Sequence, residues 1–216
     1  MAELFFDIST SLDGYVAGPN QTLGEPLGRG GEQLHGWAYP LRVWREPHGL
    51  DGGETSPASE LVAESLARTG AMVMGRSMFS GGEGPWGSDP NPDGWWGSNP
   101  PFHHPVFVLT HHSREPLEME GGTTFYFVTD GIEAALERAR DATGEKDVQI
   151  GGGGSVVQQY LKAGLVDDFR IHIVPVLLGD GVRLFEDHLP GDQLRLECTG
   201  VVEEPAAAHI SYRVVQ

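Results

Sequence analysis

The chain has 216 residues, 39% of them hydrophobic, and carries 31 acidic against 14 basic side chains for a formal charge of −17. That apolar content supports a proper core and argues against disorder, while the charge argues against a nucleic-acid surface or an anionic-membrane surface, both of which need basic patches. The single cysteine, Cys198, excludes an internal disulfide and fits a reducing cytoplasm, and no apolar run reaches the roughly 18 residues a membrane span needs.

In chain order, residues 3–9, ELFFDIS, read as a first strand, and Asp13-Gly14 and Gly18-Pro19 behind it mark turns. The N-terminal stretch has no basic segment and meets Asp7 too early for a signal peptide. Residues 20–55 are rich in Gly, Pro and Trp without sustained periodicity, a length uncommon in loops that have no function. SPASELVAESLARTG then reads as a helix, with Ser56 as N-cap, Pro57 in the first helical position, Leu61, Val62 and Leu66 on one face and Gly70 closing it. AMVMGRSMF follows as a short buried strand ending at Gly75. Residues 80–104 form a second long loop holding three of the five tryptophans, whose rings would be costly if exposed and are expected to cover something.

PVFVLT and TTFYFVT have the β-branched and aromatic content of strands. In DGIEAALERARDATG, Asp130 is the expected cap, Glu133 completes a capping-box-like pair, and Ile132, Leu136 and Ala139 keep helical spacing. KDVQI predicts a strand, and SVVQQYLKAG a helix with Val157, Tyr160 and Leu161 on one face. DDFRIHIVPVLL alternates Phe169, Ile171 and Ile173 against Arg170 and His172, and the tail predicts two paired strands with Cys198 in the core. The pattern is that of one α/β domain over residues 1–216, with strands and helices alternating to about residue 174 and an antiparallel finish.

Three strand ends carry polar chemistry. In IGGGGS, residues 150–155, the order strand, glycine turn, helix aims free backbone N–H groups at whatever sits above the helix, an arrangement suited to phosphate. It is not the dinucleotide fingerprint G-x-G-x-x-G, because counting from Gly151 or Gly152 puts Val156 or Val157 last, nor is it a P-loop. The alternative is a tight turn where helix packs on strand, for which two glycines suffice. At residues 74–79, MGRSMF runs a strand into Gly75-Arg76-Ser77, where Arg76 either pairs with a phosphate in a planar fork or caps a surface turn. VLTHH, residues 108–112, is the third, and ligands of open α/β sheets gather at such strand ends. The histidine pairs at 103–104 and 111–112 point opposite ways on an extended chain, so no metal site is expected. A Ser-His-Asp hydrolase lacks its G-x-S-x-G elbow.

STSLDGYVAG, VMGRSMF, VFVLT, IGGGGS and HIVPVLLGDGVRLF occur here in the order seen in the dihydrofolate reductase-like superfamily. The chain resembles most the bacterial branch related to the reductase domain of riboflavin biosynthesis, over essentially its whole length, with residues 20–55 and 80–104 the loosest parts. The resemblance implies a three-layer αβα fold with a central mixed, mostly parallel sheet, an NADPH site across the strand ends, and a cytoplasmic homodimer. Ser9, Val16 and Ala17 would then lie beside the nicotinamide, Gly75, Arg76 and Ser77 at the phosphates, and Thr110 and His111 at the adenosine end. Gly152, Gly153, Gly154, Ser155 and Val156 would cradle the pyrophosphate, with the register from Gly151 left open by one extra residue.

Dihydrofolate reductase keeps a carboxylate in its first substrate-side helix. Matching that helix to residues 56–69 puts Ser59 at the position, with Glu60 next to it as the catalytic candidate if the register slips by one. A first-turn glutamate is also what the helix dipole favours. In WWGSNPPFHHP, Trp95, Trp96, Phe102 and His103 are the candidate substrate wall, the alternative being aromatic packing on the surface or at a subunit contact. The expected function is NADPH-dependent hydride transfer to a small planar heterocycle, pteridine- or pyrimidine-like. Its alternatives are a 5-amino-6-(5-phosphoribosylamino)uracil reductase-type activity and a non-catalytic NADPH-binding or sensing protein. No zinc-ligand spacing of a deaminase is present, so a complete bifunctional enzyme is not expected.

Overall fold

The computed structural model describes residues 2–82, 84–185 and 194–215. Its nine-stranded sheet runs, from edge to edge, through residues 195–204, 207–215, 168–174, 4–11, 147–152, 69–75, 105–109, 124–128 and 117–118. Strands β1 (Leu4–Ser11), β3 (Thr69–Gly75), β4 (Pro105–Leu109), β6 (Thr124–Val128), β7 (Asp147–Gly152) and β8 (Asp168–Val174) are mutually parallel. The short β5 (Leu117–Glu118) and the long β10 (Arg195–Glu204) and β11 (Ala207–Val215) are antiparallel to their neighbours. A separate ladder joins β2 (Tyr15–Ala17) to β9 (Val182–Arg183). The Asp13 carboxylate clamps the loop before β9, accepting the amides of Leu178 (3.1 Å) and Gly179 (2.7 Å).

The two faces of the sheet differ in chemistry. One is apolar: Leu4, Phe6, Ile150 and Phe169 pack on Ala135, Leu136 and Ala139 of α4 (Ile132–Ala142) and on Val157, Tyr160 and Leu161 of α5 (Gly154–Lys162). Phe6 and Phe169, adjacent in register, stack with ring centroids 4.7 Å apart. The other face holds α2 (Pro57–Arg68), α3 (Arg76–Ser80), the four-residue α1 (Arg42–Arg45) and the two long connections. Residues 80–104 bury Trp86, Trp96 and Phe102 against Met74, Phe79, Phe125 and Phe127. Residues 20–55 build a second cluster, Leu34, Trp37, Ala38 and Leu41 against Ala58, Val174 and Ala207. Of its anchors only Leu34 lies in a helix, the single turn Gly31–His35, while Trp37 and Ala38 lie in turns and Leu41 in an isolated bridge, so no sequence period announces them.

Several sequence expectations need correction. Cys198 lies exposed on β10, which is the sheet edge, and both faces of that strand are open over most of its length. Asp130 does not cap α4: the N-cap is Gly131, with no side-chain bond, and Asp130 instead pairs with Arg138 at 2.9 Å. Helix α2 does not bury Leu66, which is 44% exposed; its buried residues are Ala58 and Ser65, because it covers a polar strip of the sheet. It ends at Arg68, and Gly70 already belongs to β3. The glycine run is partly strand, since β7 continues through Gly151 and Gly152.

Candidate active site

The parallel strands end together at one edge, and β1 sits where the chain order reverses, with β7 and β3 on one side and β8 on the other. Each of the four glycines after Ile150 has its own geometry. A Cβ on Gly151 would lie 2.5 Å from Met72 Sδ, and Gly152 has φ +133, which other residues rarely adopt. A Cβ on Gly154 would stand 3.0 Å from both Val16 Cγ2 and Val182 Cγ1. Packing explains Gly151 and Gly154, and backbone conformation explains Gly152. Gly153, the N-cap of α5, has an ordinary φ of −82 and nothing within 4 Å of its Cβ position.

At that N-terminus the first bonds are Val156 N–H and Val157 N–H to Gly153 O, at 3.0 and 3.3 Å. The amides of Gly154 and Ser155, in the first helical turn, have no carbonyl behind them. Gly75 joins the same edge: Met74 pairs with Gly152 in register, and a Cβ on Gly75 would stand 3.0 Å from Val156 Cγ2. Arg76 reaches Thr110, Nη1 to Oγ1 at 3.4 Å. The structure thus brings together Val16, Gly75, Arg76, Thr110 and the stretch from Gly151 to Val156. Ala17 lies one residue beyond Val16 in β2, with Gly181 packed on its carbonyl. Ser77 and His111 are exposed beside Arg76 and Thr110.

Ser9 lies at the same end of β1, in a row across three strands with His172 and His209. Trp37 covers the row: its Nε1–H donates to Ser9 Oγ (3.0 Å) and its ring lies 4.4 Å from that of His172. The Nδ1 atoms of His172 and His209 are 2.7 Å apart, so one ring donates the proton the other accepts. Burial, then the neighbouring His209, hold His172 well below the usual imidazole range. One row back, Asp7 bonds to Ser65 Oγ and lies 3.7 Å from Arg170. Burial outweighs these partners and raises the Asp7 carboxyl to about 6. A cavity of about 600 Å³ opens there between α2 and the sheet, lined by Asp7, Ser65, Arg68, Arg170 and Arg213 among others.

Other expected residues lie elsewhere. Glu60 is exposed on the outward side of α2, sharing a shallow depression with Arg42, Val43 and Glu46. Ser59 accepts the Ser56 N–H (3.0 Å), a cap rather than a ligand contact. Phe102 and His103 precede β4, and His103 N–H donates to Thr123 Oγ1 (2.9 Å) just before β6, so both sit at the opposite ends of the strands from the glycines. Trp96 packs edge-on against Phe102. Trp95 packs beside Gly81 after α3: a Cβ there would meet its ring at 2.5 Å and Leu23 of the first long connection at 3.0 Å. Sequence reasoning missed Asp7, Trp37, Trp86, Asp89 and the histidine pair. Only Asp7, a lone acid inside an apolar strand, carried a visible signal. Among the described residues no cluster of three or more His, Cys, Asp or Glu is arranged to hold a metal ion, and no helix is long and apolar enough to cross a membrane.

The chain is similar to several known proteins. Uncharacterized protein YwjB of Bacillus subtilis (strain 168) is 33% identical over 73 residues, which is 34% of this chain and 41% of that protein. A crystal structure from Shewanella sp. PV-4, provisionally assigned as a riboflavin biosynthesis protein, matches with TM-score 0.64 and 23% identity over 100% of both chains. The Thermotoga maritima diaminohydroxyphosphoribosylaminopyrimidine deaminase/5-amino-6-(5-phosphoribosylamino)uracil reductase matches with TM-score 0.58 and 14% identity, over 99% of this chain and 57% of that one. At these identities the structures share the fold, a mostly parallel sheet with an antiparallel finish. The family profile of the RibD C-terminal domain matches residues 2–208, and the chain belongs to that family.

Proposed function

We propose that the chain is an NADPH-dependent reductase of a small planar heterocycle, pteridine- or pyrimidine-like. The observation that carries this is the N-terminus of α5, where the parallel strands end: its N-cap Gly153 has nothing within 4 Å of its Cβ position, and the first-turn amides of Gly154 and Ser155 are free of helix carbonyls. Membership of the RibD C-terminal family and the reductase named for the Thermotoga neighbour support the reaction class. NADPH, when bound, supplies the hydride. In this reading the Gly154 and Ser155 amides hold its diphosphate, with Gly151, Gly152 and Val156 shaping the floor. Gly75, Arg76, Ser77, Thr110 and His111 flank the adenosine end. Ser9, Val16 and Ala17 wall the nicotinamide, and Trp95 excludes water from the cleft. Glu60, Trp96, Phe102 and His103 stay outside the reading because of where they lie.

The chain would work as a homodimer through the open β10 edge, which exposes Leu196 (48%) and Val201 (63%). A cytoplasmic location would keep the exposed Cys198 thiol reduced. A second reading, nucleotide binding without turnover, is favoured by two observations: the only carboxylate proposed for α2 faces outward, and Trp37 covers Ser9. Titrating the protein with NADPH and following energy transfer from its tryptophans tests the main reading. Saturable binding weakened by Gly153→Val is the expected result; no binding overturns it. NADPH that binds but is oxidised by no pteridine, pyrimidine or quinone selects the second reading.

A further inference from the structure

Arg76 is heavily ligated at the strand-end edge, and the chain itself supplies the ligands. Its Nε–H donates to Ser80 Oγ at 3.0 Å, Nη1 reaches Thr110, and Nη2 pairs with Asp89 Oδ2. The guanidinium carbon lies 3.1 Å from the centroid of the Trp86 ring, and Arg114 stacks over that ring as well. A ring stacked on a guanidinium with an anion at its edge is the pair of contacts that the base and phosphate of a nucleotide offer an arginine. Here both come from residues 86–89.

Asp89 is firmly held in that role. Its side chain is 0% exposed and that of Arg76 only 11%. Oδ2 also accepts from Ser80 Oγ (2.8 Å), and Oδ1 from the Asn91 amide (2.8 Å). A side chain on Gly82 would collide with the carboxyl group, so that glycine makes room for it. Burial works against its charge, but the bonds from Arg76, Asn91 and Ser80 outweigh it and keep the carboxyl ionised.

We infer that Asp89 sets the cofactor choice of the site proposed above: it occupies the Arg76 fork as an internal anion, so that a ribose 2′-phosphate gains little there. A phosphate brought to Arg76 either displaces Asp89, breaking its bonds to Ser80 and Asn91, or places a second anion beside it on one guanidinium. A ribose with a free 2′-hydroxyl meets neither conflict. NADH and NADPH therefore bind alike, although an arginine stands where the phosphate would be read. The inference rests on the nucleotide-site reading, and its test separates the two.

Dissociation constants for NADPH and NADH are measured by tryptophan energy transfer on the native chain and on Asp89→Asn. Asparagine keeps the shape and an acceptor for Ser80 while removing the competing charge. The native preference for NADPH is expected to stay below about tenfold and to rise at least about tenfold in D89N, the effect of freeing one charge-assisted contact. Adding Arg76→Ala to D89N should erase the gain. A native preference above about tenfold overturns the inference even if D89N does not fold. An unchanged ratio in folded D89N also overturns it and leaves the nucleotide site standing. A native chain that binds neither nucleotide overturns both.

Discussion

Replacing Gly153 with aspartate should move stability and ligand binding in opposite directions. The residue is the N-cap of α5, with φ −82 and ψ −174, and its Cβ position has no neighbour within 4 Å. Aspartate is among the best N-cap residues and its charge complements the helix dipole, so Gly153→Asp should raise the unfolding free energy by about 0 to 1 kcal/mol. Binding meets the opposite sign. A carboxylate roughly 4 Å from one phosphate charge, at an effective dielectric near 20, is repelled by about 4 kcal/mol, close to a thousandfold in affinity. Salt and side-chain rotation reduce this, so NADPH should bind at least about a hundredfold more weakly. Gly153→Asn, with the same shape and no charge, should lose much less. Thermal melts and the tryptophan titration read both quantities on one sample. Native NADPH affinity in folded G153D would refute a diphosphate on α5, and a strongly lowered Tm would refute the open space above it.

Asp7, pushed up to about 6 by burial, makes a pH prediction of defined sign. Its folded value lies above the unfolded 3.8, so the folded state keeps the proton longer, and stability from this group is greatest at low pH and falls as pH rises through 6. The gap of about 2 pH units corresponds to about 3 kcal/mol. In urea unfolding, Asp7→Asn should therefore gain on the native chain by up to about 3 kcal/mol between pH 4 and pH 7, and a gap that stays flat would remove the buried charge from the explanation. Gly181 has φ +132, and a side chain there would collide with the carbonyl of Ala17. Gly181→Ala should cost about 2 kcal/mol or more and disturb β2, which carries Val16 and Ala17, so Tm and NADPH affinity should fall together. A Tm within a degree of the native value would contradict that packing.

The elements that depend on local pattern were legible in the sequence. β7 to α5, the α4 spacing of Ile132, Leu136 and Ala139, and the antiparallel tail all stand where periodicity and turn residues put them. The glycine stretch was legible as a junction but not residue by residue, because the constraints on Gly151 and Gly154 come from Met72, Val16 and Val182, far away in sequence. The partners of Arg76 were illegible for the same reason. Asp89 lies in a stretch rich in glycine and proline, and nothing local marks it as a buried anion. Cys198 shows the limit of alternation in another way: a period of two places a residue on one face of a strand, but an edge strand can leave both faces open.

β8 carries this point furthest. Its alternation puts Phe169, Ile171 and Ile173 on one face and Arg170 and His172 on the other, which resembles a strand with a wet side. Yet Arg170 lies beneath α2, bonded to Leu61 O (3.1 Å), Ser65 Oγ (3.3 Å) and Glu64 Oε2 (2.8 Å), and His172 is sealed under Trp37. Polarity in a strand pattern therefore marks the face that is not the apolar core, not the face that meets water. The apolar face under α4 and α5 and the two clusters under the long connections supply the hydrophobic burial, so the fold can carry a strip under α2 whose charges are desolvated and only partly compensated. Asp7 shows the cost directly, since its carboxyl is raised although an arginine and a serine both pull it down. A chain selected for stability alone would fill such a layer with leucine and valine. The polar strip instead lies in register beside Ser9, near the end of β1, the side of the sheet where ligands of this architecture bind.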